Sequence, residues 1–275
     1  MERAGEIQLP RRAPNAAWAW EGLRRNPDYR RAYFAERHHS LTNINLTTGA
    51  TLLRMRSRHR RAEKFGLLAF ADPRKPAIDA DIFWCPHVFS GCLDVRLSRL
   101  FPDEVKQDSK MGAIYLHRLQ TRRVLLETMD GARHIVLNGH RFWIQLFCGK
   151  PNVIGDTAHI GIRMNAATTM ERHLDTASQL LSLYRNNGGK LQRIGRHKNI
   201  EPLQRALTAY DIWTGFERPK GSLKDIAAAL VGPRRVDEEW NGTSRCLKDM
   251  ARRARDKGMA FVTRDYLDML GKKTL

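Results

Sequence analysis

The apolar positions near the C-terminus predict a short helix followed by a turn. Residues 222–232 read SLKDIAAALVG, and their apolar side chains recur at steps of three, one and three: Leu223, Ile226, Ala227 and Leu230. Ser222 and Asp225 predict a capping box at the start of this helix, and Gly232-Pro233 predicts its end. A polar loop is predicted next, carrying Arg234, Arg235 and the acidic run Asp237 to Glu239.

The following segment predicts a longer helix with one basic face. It should be capped by Thr243 or Ser244 and end at Gly258. At about 100° per residue, its apolar side chains share one sector: Leu247, Met250, Ala251, Ala254 and Gly258. Its cations share another sector, roughly opposite the first: Arg245, Lys248, Arg252 and Arg255.

Two interpretations of this basic face are open. It is either the charged face of a solvent-facing helix or the reading surface of a helix-turn-helix DNA-binding module. Arginine forms bidentate bonds to guanine, and cations at helical spacing reach successive phosphates. We therefore expect the four cations to contact DNA, with Arg234 and Arg235 as phosphate anchors in the loop.

The clearest β pattern lies between Arg122 and Phe147. RRVLLETM, ARHIVL and HRFWIQLF predict three strands, joined at Asp130-Gly131 and Asn138-Gly139. Both dipeptides favour type I′ turns, which predicts an antiparallel meander. Its predicted packed residues are Ile135, Leu137, Trp143 and Phe147.

Other periodic segments surround this meander. A helical hairpin is predicted from a cap at Asn15, with a break at Asn26-Pro27 and a second helix beginning around Asp28. Strands are predicted at 65–70 and 158–164, and residues 93–100 as a strand or a turn. A helix capped by Thr168 or Thr169 carries an apolar stripe: Met170, Leu174, Ala177, Leu181 and Tyr184.

The C-terminal module is predicted to begin with a helix from Pro202 to Gly215. After the basic helix, Phe261 and Val262 predict a short extended segment, and Thr263 caps a last helix through Leu270. We therefore predict an α+β protein: an N-terminal arm and helical hairpin (1–37), a central domain with the β-meander (38–187), a linker (188–199) and an all-helical helix-turn-helix-like domain (200–275).

The charge balance favours a polyanionic partner. The chain has 48 Lys+Arg against 29 Asp+Glu, a net charge of +19 over 275 residues. Nucleic acid is the first candidate and an anionic membrane surface the second, although a basic enzyme has the same charge. The cluster between Arg54 and Lys64 is either a phosphate-contacting arm or a solvated face.

Enzyme signatures and targeting signals are lacking in the sequence. We see no phosphate-binding loop, metal-ligand spacing or nucleophile elbow, so we predict no catalytic residues, no metal and no cofactor. Four scattered cysteines, no apolar leader and no membrane-length apolar run predict a cytoplasmic chain without membrane contact. His134 and His140 flank a predicted hairpin and are interpreted as strand-face residues.

Three stretches, in this order, resemble a proteobacterial family of transcription regulators: WAWEGLRRNPDYRRAY, then FGLLAFADP with IFWCP, then SLKDIAAALVG with SRCLKDMARRARDKGMAFVTRDYLDML. The family pairs an N-terminal regulator-like domain with a C-terminal DNA-binding domain. Its members resemble activators of integrative and conjugative element excision and of type VI secretion genes, and some short relatives of the C-terminal domain act as anti-activators by binding the activator. The resemblance implies transcription regulation through the C-terminal module.

We therefore expect a transcriptional regulator, most simply an activator, that reads double-stranded DNA with residues 243–257. RNA polymerase or a regulatory protein and a second copy of the chain are the other expected partners. One alternative is an anti-activator that sequesters a transcription regulator with the same helices. A nuclease or recombination accessory is the other, but Asp237, Glu238 and Glu239 are too sequential to form a metal site unaided.

Overall fold

A mixed seven-stranded sheet lies at the centre of the part of the chain that the structure describes. That part of the computed structural model comprises residue 9 and residues 13–36, 41–98, 114–151, 159–163, 170–186, 200–242 and 245–271. The strands are Thr42–Asn45 (β1), Thr51–Arg54 (β2), Cys92–Ser98 (β3), Arg122–Glu127 (β4), Arg133–Gly139 (β5), Phe142–Cys148 (β6) and His159–Arg163 (β7). The helices are Asn15–Leu23 (α1), Pro27–Glu36 (α2), Arg60–Glu63 (α3), Met170–Arg185 (α4), Glu201–Thr214 (α5), Leu223–Val231 (α6), Pro233–Glu239 (α7) and Cys246–Thr263 (α8).

The predicted meander is the middle of the sheet, and the predicted α+β class is confirmed. The strand order is β1-β2-β4-β5-β6-β3-β7, in which β4, β5 and β6 are antiparallel neighbours. β2 joins β4 in parallel on one side, and β3 joins β6 in parallel on the other. Two strands from the first sixty residues therefore extend a sheet whose centre comes from residues 122–148.

Apolar side chains along the central strands point alternately to the two faces of the sheet and form a core on each face. Val124 and Leu126 of β4 pack on one side with the N-terminal tryptophans Trp18 and Trp20, whereas Leu125 packs on the other. The second face is covered by α4, which contacts β3 and β6. Because side chains alternate with period two, one apolar strand supplies both cores.

Neither predicted meander dipeptide forms a two-residue type I′ turn. The first is a three-residue loop, Met129 to Gly131, in which Thr128 N donates to Ala132 O at 2.9 Å and Gly131 has a φ of 80°. The second loop is His140-Arg141, two residues beyond the predicted dipeptide. Asn138 pairs instead within β5 and donates its side-chain amide to Ile78 O at 3.2 Å.

Local sequence also misplaced several element ends. Asn15 is the first residue of α1 rather than its cap, whereas Asn26 Oδ1 caps α2 by accepting from the backbone of Asp28 and Tyr29. Residues 65–70 are buried or half-buried but form a single bridge, Leu67 to Trp84, instead of a strand. The predicted caps Thr168, Thr169, Thr243 and Ser244 and the predicted linker 188–199 lie outside the described residues.

Only part of the apolar stripe predicted on α4 faces the core: Ala177 and Tyr184 pack against it, half-buried. Met170 and Leu174 are 41% and 49% exposed, whereas the buried face consists of Thr176, Leu180 and Leu183. The helix packs through residues beside the stripe, because Leu180 and Leu183 reach the sheet.

In the described part of the chain, no helix is long and apolar enough to cross a membrane.

His134 should make the stability of the fold depend on pH. Its side chain is buried against Phe147, and burial lowers its pKa to about 4 from an ordinary 6.5. The unfolded chain takes up this proton near pH 6.5 and the folded chain only near pH 4, so stability falls as the pH drops through this window. In urea unfolding, the free energy of unfolding of the wild type should fall between pH 7 and pH 4.5. We expect this fall to be smaller by about 2–3 kcal/mol in His134→Leu.

His140→Leu is the matched control for this prediction. His140 is exposed at the tip of the β5–β6 hairpin, so the same substitution there leaves the buried side chains of the sheet in place. The same pH dependence in His134→Leu and in the wild type would show that His134 carries no such penalty.

Candidate nucleic-acid interface

The C-terminal helices α5 to α8 enclose a small core of their own. Its buried members are Ala209, Ile212, Ile226, Ala227, Val236, Leu247 and Ala251. The predicted capping box is confirmed: Asp225 N donates to Ser222 Oγ at 3.3 Å, and Ser222 N donates to Asp225 Oδ2 at 2.7 Å. Gly215, with a φ of 77°, ends α5 as predicted.

The segment predicted as a polar loop is the helix α7. Pro233 stands at its first position, where the missing N–H costs nothing, and Val236 is fully buried in the small core. Gly232-Pro233 thus ends α6 and also begins α7. Arg234 and Arg235 consequently lie on a helix, where they form pairs with Glu238 at 3.3 Å and Glu239 at 3.0 Å.

The basic helix α8 is longer than predicted. Gly258 does not end it, because the helix continues to Thr263 with Phe261 and Val262 buried. A Cβ at Gly258 would lie 2.2 Å from Ala206 O of α5, so glycine there permits two helices to cross closely. The predicted extended segment was therefore wrong, and the predicted last helix is a 3-10 helix, Asp265–Leu270.

The four cations predicted on α8 occupy two kinds of position. Arg245 at its start is exposed, and Arg252 is exposed beside Asp249 at 3.2 Å. Lys248 Nζ lies 5.5 Å from the centre of the Trp240 ring, and Arg255 Cζ lies 4.8 Å from that of Trp213. Arg255 also pairs with Asp256 at 2.8 Å. Lys248 and Arg255, the lateral cations, therefore lie against tryptophan rings, whereas Arg245 and Arg252 are exposed to solvent.

A second basic flank of α8 was missed from the sequence. Arg253 and Lys257 line an open groove of about 410 Å³ together with Arg205 of α5 and Leu230 of α6. Arg205 Nη2 donates to Met250 Sδ at 3.6 Å across this groove. The spacing of Arg253 and Lys257 by four residues was a usable signal, since it places both on one side of the helix.

The interface helices are tied to α1 by a buried ion-pair network. Arg25 forms two bonds to Asp211 of α5, from Nε to Oδ1 at 2.7 Å and from Nη2 to Oδ2 at 3.0 Å. Glu21 contacts Arg25 at 2.7 Å and Arg24 at 2.6 Å. Burial alone would raise the pKa of Glu21, but the two guanidiniums outweigh burial and lower it.

Further bonds join the N-terminal helices to both ends of this module. Asn26 Nδ2 donates to Val262 O at 3.0 Å, and Tyr210 Oη donates to Arg25 O at 3.1 Å. Beyond α5, Glu217 has a φ of 55° and accepts from Arg24 at 2.8 Å. The last turns of α8 are thus fixed against α1, while the turns that carry Arg245 to Arg255 lie on the small core.

Three of the six cations in the stretch from Arg54 to Lys64 form ion pairs within the protein. Its ion pairs are Arg54 with Glu127, Arg58 with Glu63 and Arg61 with Glu36. Because these carboxylates already face the guanidiniums, the stretch has less positive charge available for phosphates than its composition suggests.

Comparison with known families identifies the N-terminal part. Residues 4–64, less than a quarter of the chain, match the family described as proteobacterial transcriptional regulator-like domain. The match confirms the predicted resemblance there and supports a role in transcription regulation. It spans α1, α2, β1, β2 and α3. A comparison with curated proteins finds no match to the chain.

Removal of the Arg25 guanidinium should destabilise the protein strongly. Arg25→Met leaves Asp211 without its bidentate partner in a buried site, at a cost of about 3–5 kcal/mol in the free energy of unfolding. The double variant Arg25→Met/Asp211→Leu removes both charges and should recover much of this loss in urea unfolding.

Arg31→Met supplies the control, because it breaks an exposed pair with Asp28 at 2.9 Å. Such a pair contributes about 0–1 kcal/mol. A loss in Arg25→Met no larger than in Arg31→Met would show that the buried pair does not hold the helices together.

Proposed function

We propose that this protein is a DNA-binding transcription regulator that contacts double-stranded DNA with α8. The observation that carries the proposal is the exposure of Arg245 and Arg252 on the outer side of a helix whose far end is buried against the regulator-like N-terminal segment. The net charge of +19 supports a polyanionic partner.

The cations would have different roles in this contact. Arg245 and Arg252 face solvent and would reach base edges, because a guanidinium matches guanine O6 and N7. Lys248 and Arg255, stacked against Trp240 and Trp213, would contact phosphates from more fixed positions. Arg234 and Arg235 on α7 would anchor the flanking backbone.

Carboxylates beside these cations set a condition for binding. Arg252 pairs with Asp249, and both arginines of α7 pair with glutamates. Each pair is exposed and costs little to exchange for a phosphate or a base. Asp249 and Asp256 would repel phosphates, so the helix would enter the groove tilted toward its lateral cations.

Activation of transcription is the direction of control that we propose. The regulator would act in the cytoplasm on genes such as those for type VI secretion or element excision, as a homo-oligomer that contacts RNA polymerase or a regulatory protein. An anti-activator, which binds a transcription regulator instead of DNA, is the alternative that the carboxylates on α7 and α8 favour.

Replacement of Arg252 should weaken DNA binding. Fluorescence anisotropy against duplexes selected from a random-sequence pool should show a loss of about 1–3 kcal/mol for Arg252→Ala at a base contact, or a salt slope lower by about one at a phosphate contact. Arg31→Ala is the matched control, since Arg31 is an exposed arginine paired with an aspartate three residues before it, as Arg252 is.

Equal affinities and salt slopes for Arg31→Ala, Arg245→Ala and Arg252→Ala would exclude α8 as the DNA-reading helix. If the wild type shifts no duplex at low salt and co-purifies with a transcription factor, the anti-activator function is correct instead.

A further inference from the structure

Helix α4 has an apolar stripe whose first half is exposed among the described residues. Met170 and Leu174 are among the most exposed large apolar side chains of the described residues. Leu181, two turns after Leu174, is half-buried on the same side. Ala177 and Tyr184 complete the stripe; they are half-buried and pack against the core beneath α4 with part of their surface. Contiguous apolar surface of this kind marks an interaction site.

The spacing of the stripe is that of a helix–helix seam. Its members follow one another at steps of four, three, four and three residues: Met170, Leu174, Ala177, Leu181 and Tyr184. A repeat of 3.5 residues keeps apolar side chains facing a second helix. The residues that α4 buries against the sheet, Leu180 and Leu183, lie on a neighbouring face. Helix α4 thus has one face for the sheet and another for a partner helix.

We propose that the partner is α4 of a second copy of this chain, packed antiparallel to the first about a two-fold axis near Ala177. In that arrangement Leu174 lies opposite Leu181 of the partner subunit, and Met170 lies opposite Tyr184 of the partner subunit. The small side chain of Ala177 at the centre lets the two helices approach closely. A two-fold contact uses one patch on both copies, so the patch must be self-complementary.

The charges at the two ends of α4 meet this requirement. Glu171 in the first turn and Arg185 in the last are both exposed. Antiparallel pairing places Glu171 beside Arg185 of the partner subunit, twice per dimer. Parallel pairing would place like charges together at both ends, which is unfavourable. Charge therefore selects a second, antiparallel copy as the occupant.

The size of the surface sets the strength of the contact. A helix of 16 residues is about 24 Å long, so the pair would bury an area at the low end for specific interfaces. We expect a reversible dimer whose fraction rises over concentrations on the order of micromolar. This contact specifies the surface of the homo-oligomer named in the proposed function and does not depend on DNA binding by α8, although a two-fold dimer would present two copies of α8 to paired half-sites.

Sedimentation equilibrium of the full chain tests the surface. Leu174→Glu puts a charge into the seam and should weaken self-association by about tenfold or more. Met129→Glu is the control, since Met129 is 63% exposed in the β4–β5 loop and is not part of α4, so it should leave the association constant unchanged. Circular dichroism confirms that each variant is folded.

A charge swap tests the partner and its direction. Glu171→Arg and Arg185→Glu should each weaken the dimer several-fold, because each creates two like-charge contacts, and the double variant should restore it. Restoration supports antiparallel pairing of α4 with itself. The inference is overturned by a wild type that stays monomeric, by equal effects of Leu174→Glu and Met129→Glu, or by a double variant that remains as weak as the single ones.

Discussion

The buried pair between Arg25 and Asp211 is the contact on which the arrangement of the whole chain depends. It joins the turn after α1 to α5, with Glu21, Arg24 and Glu217 completing the network. Charges removed from water are costly unless each has a partner in good geometry, so such a network tolerates few other arrangements. It therefore fixes where the C-terminal helices lie relative to the N-terminal segment that matches regulator-like proteins.

Helix α8 connects this constraint to the proposed function. Its last turns pack against α1, where Phe261 approaches Gly22 and Asn26 bonds to Val262 O. Its earlier turns lie on the small core with α6 and α7 and carry the exposed cations. Because a helix is stiff over this length, a movement of the N-terminal helices would shift the cations at the proposed DNA contact. Helix α4 lies on the opposite face of the sheet from α1.

The sequence predicted elements with strong local signals. The α+β class, the meander, the capping box of α6 and the end of α5 at Gly215 all follow from period, caps and turn residues. The predictions that were wrong depend on tertiary contacts. Gly258 resembles a helix end in the sequence, but it is the point where α5 crosses α8. The segment around Val236 resembles a polar loop, but burial of Val236 in the small core favours a helix, and the α4 stripe resembles a face that packs entirely on the core. The Arg25–Asp211 pair spans 186 residues, and no local pattern predicts it.

Native-state hydrogen exchange would test most directly whether α8 and the N-terminal helices form one cooperative unit. Amide protons of α1 and of the last turns of α8 should exchange with the same free energy of opening, equal to that of global unfolding, because the buried network and the Val262 contact open only together. Exchange of α5 to α8 through an opening of clearly smaller free energy, with α1 still protected, would contradict this coupling.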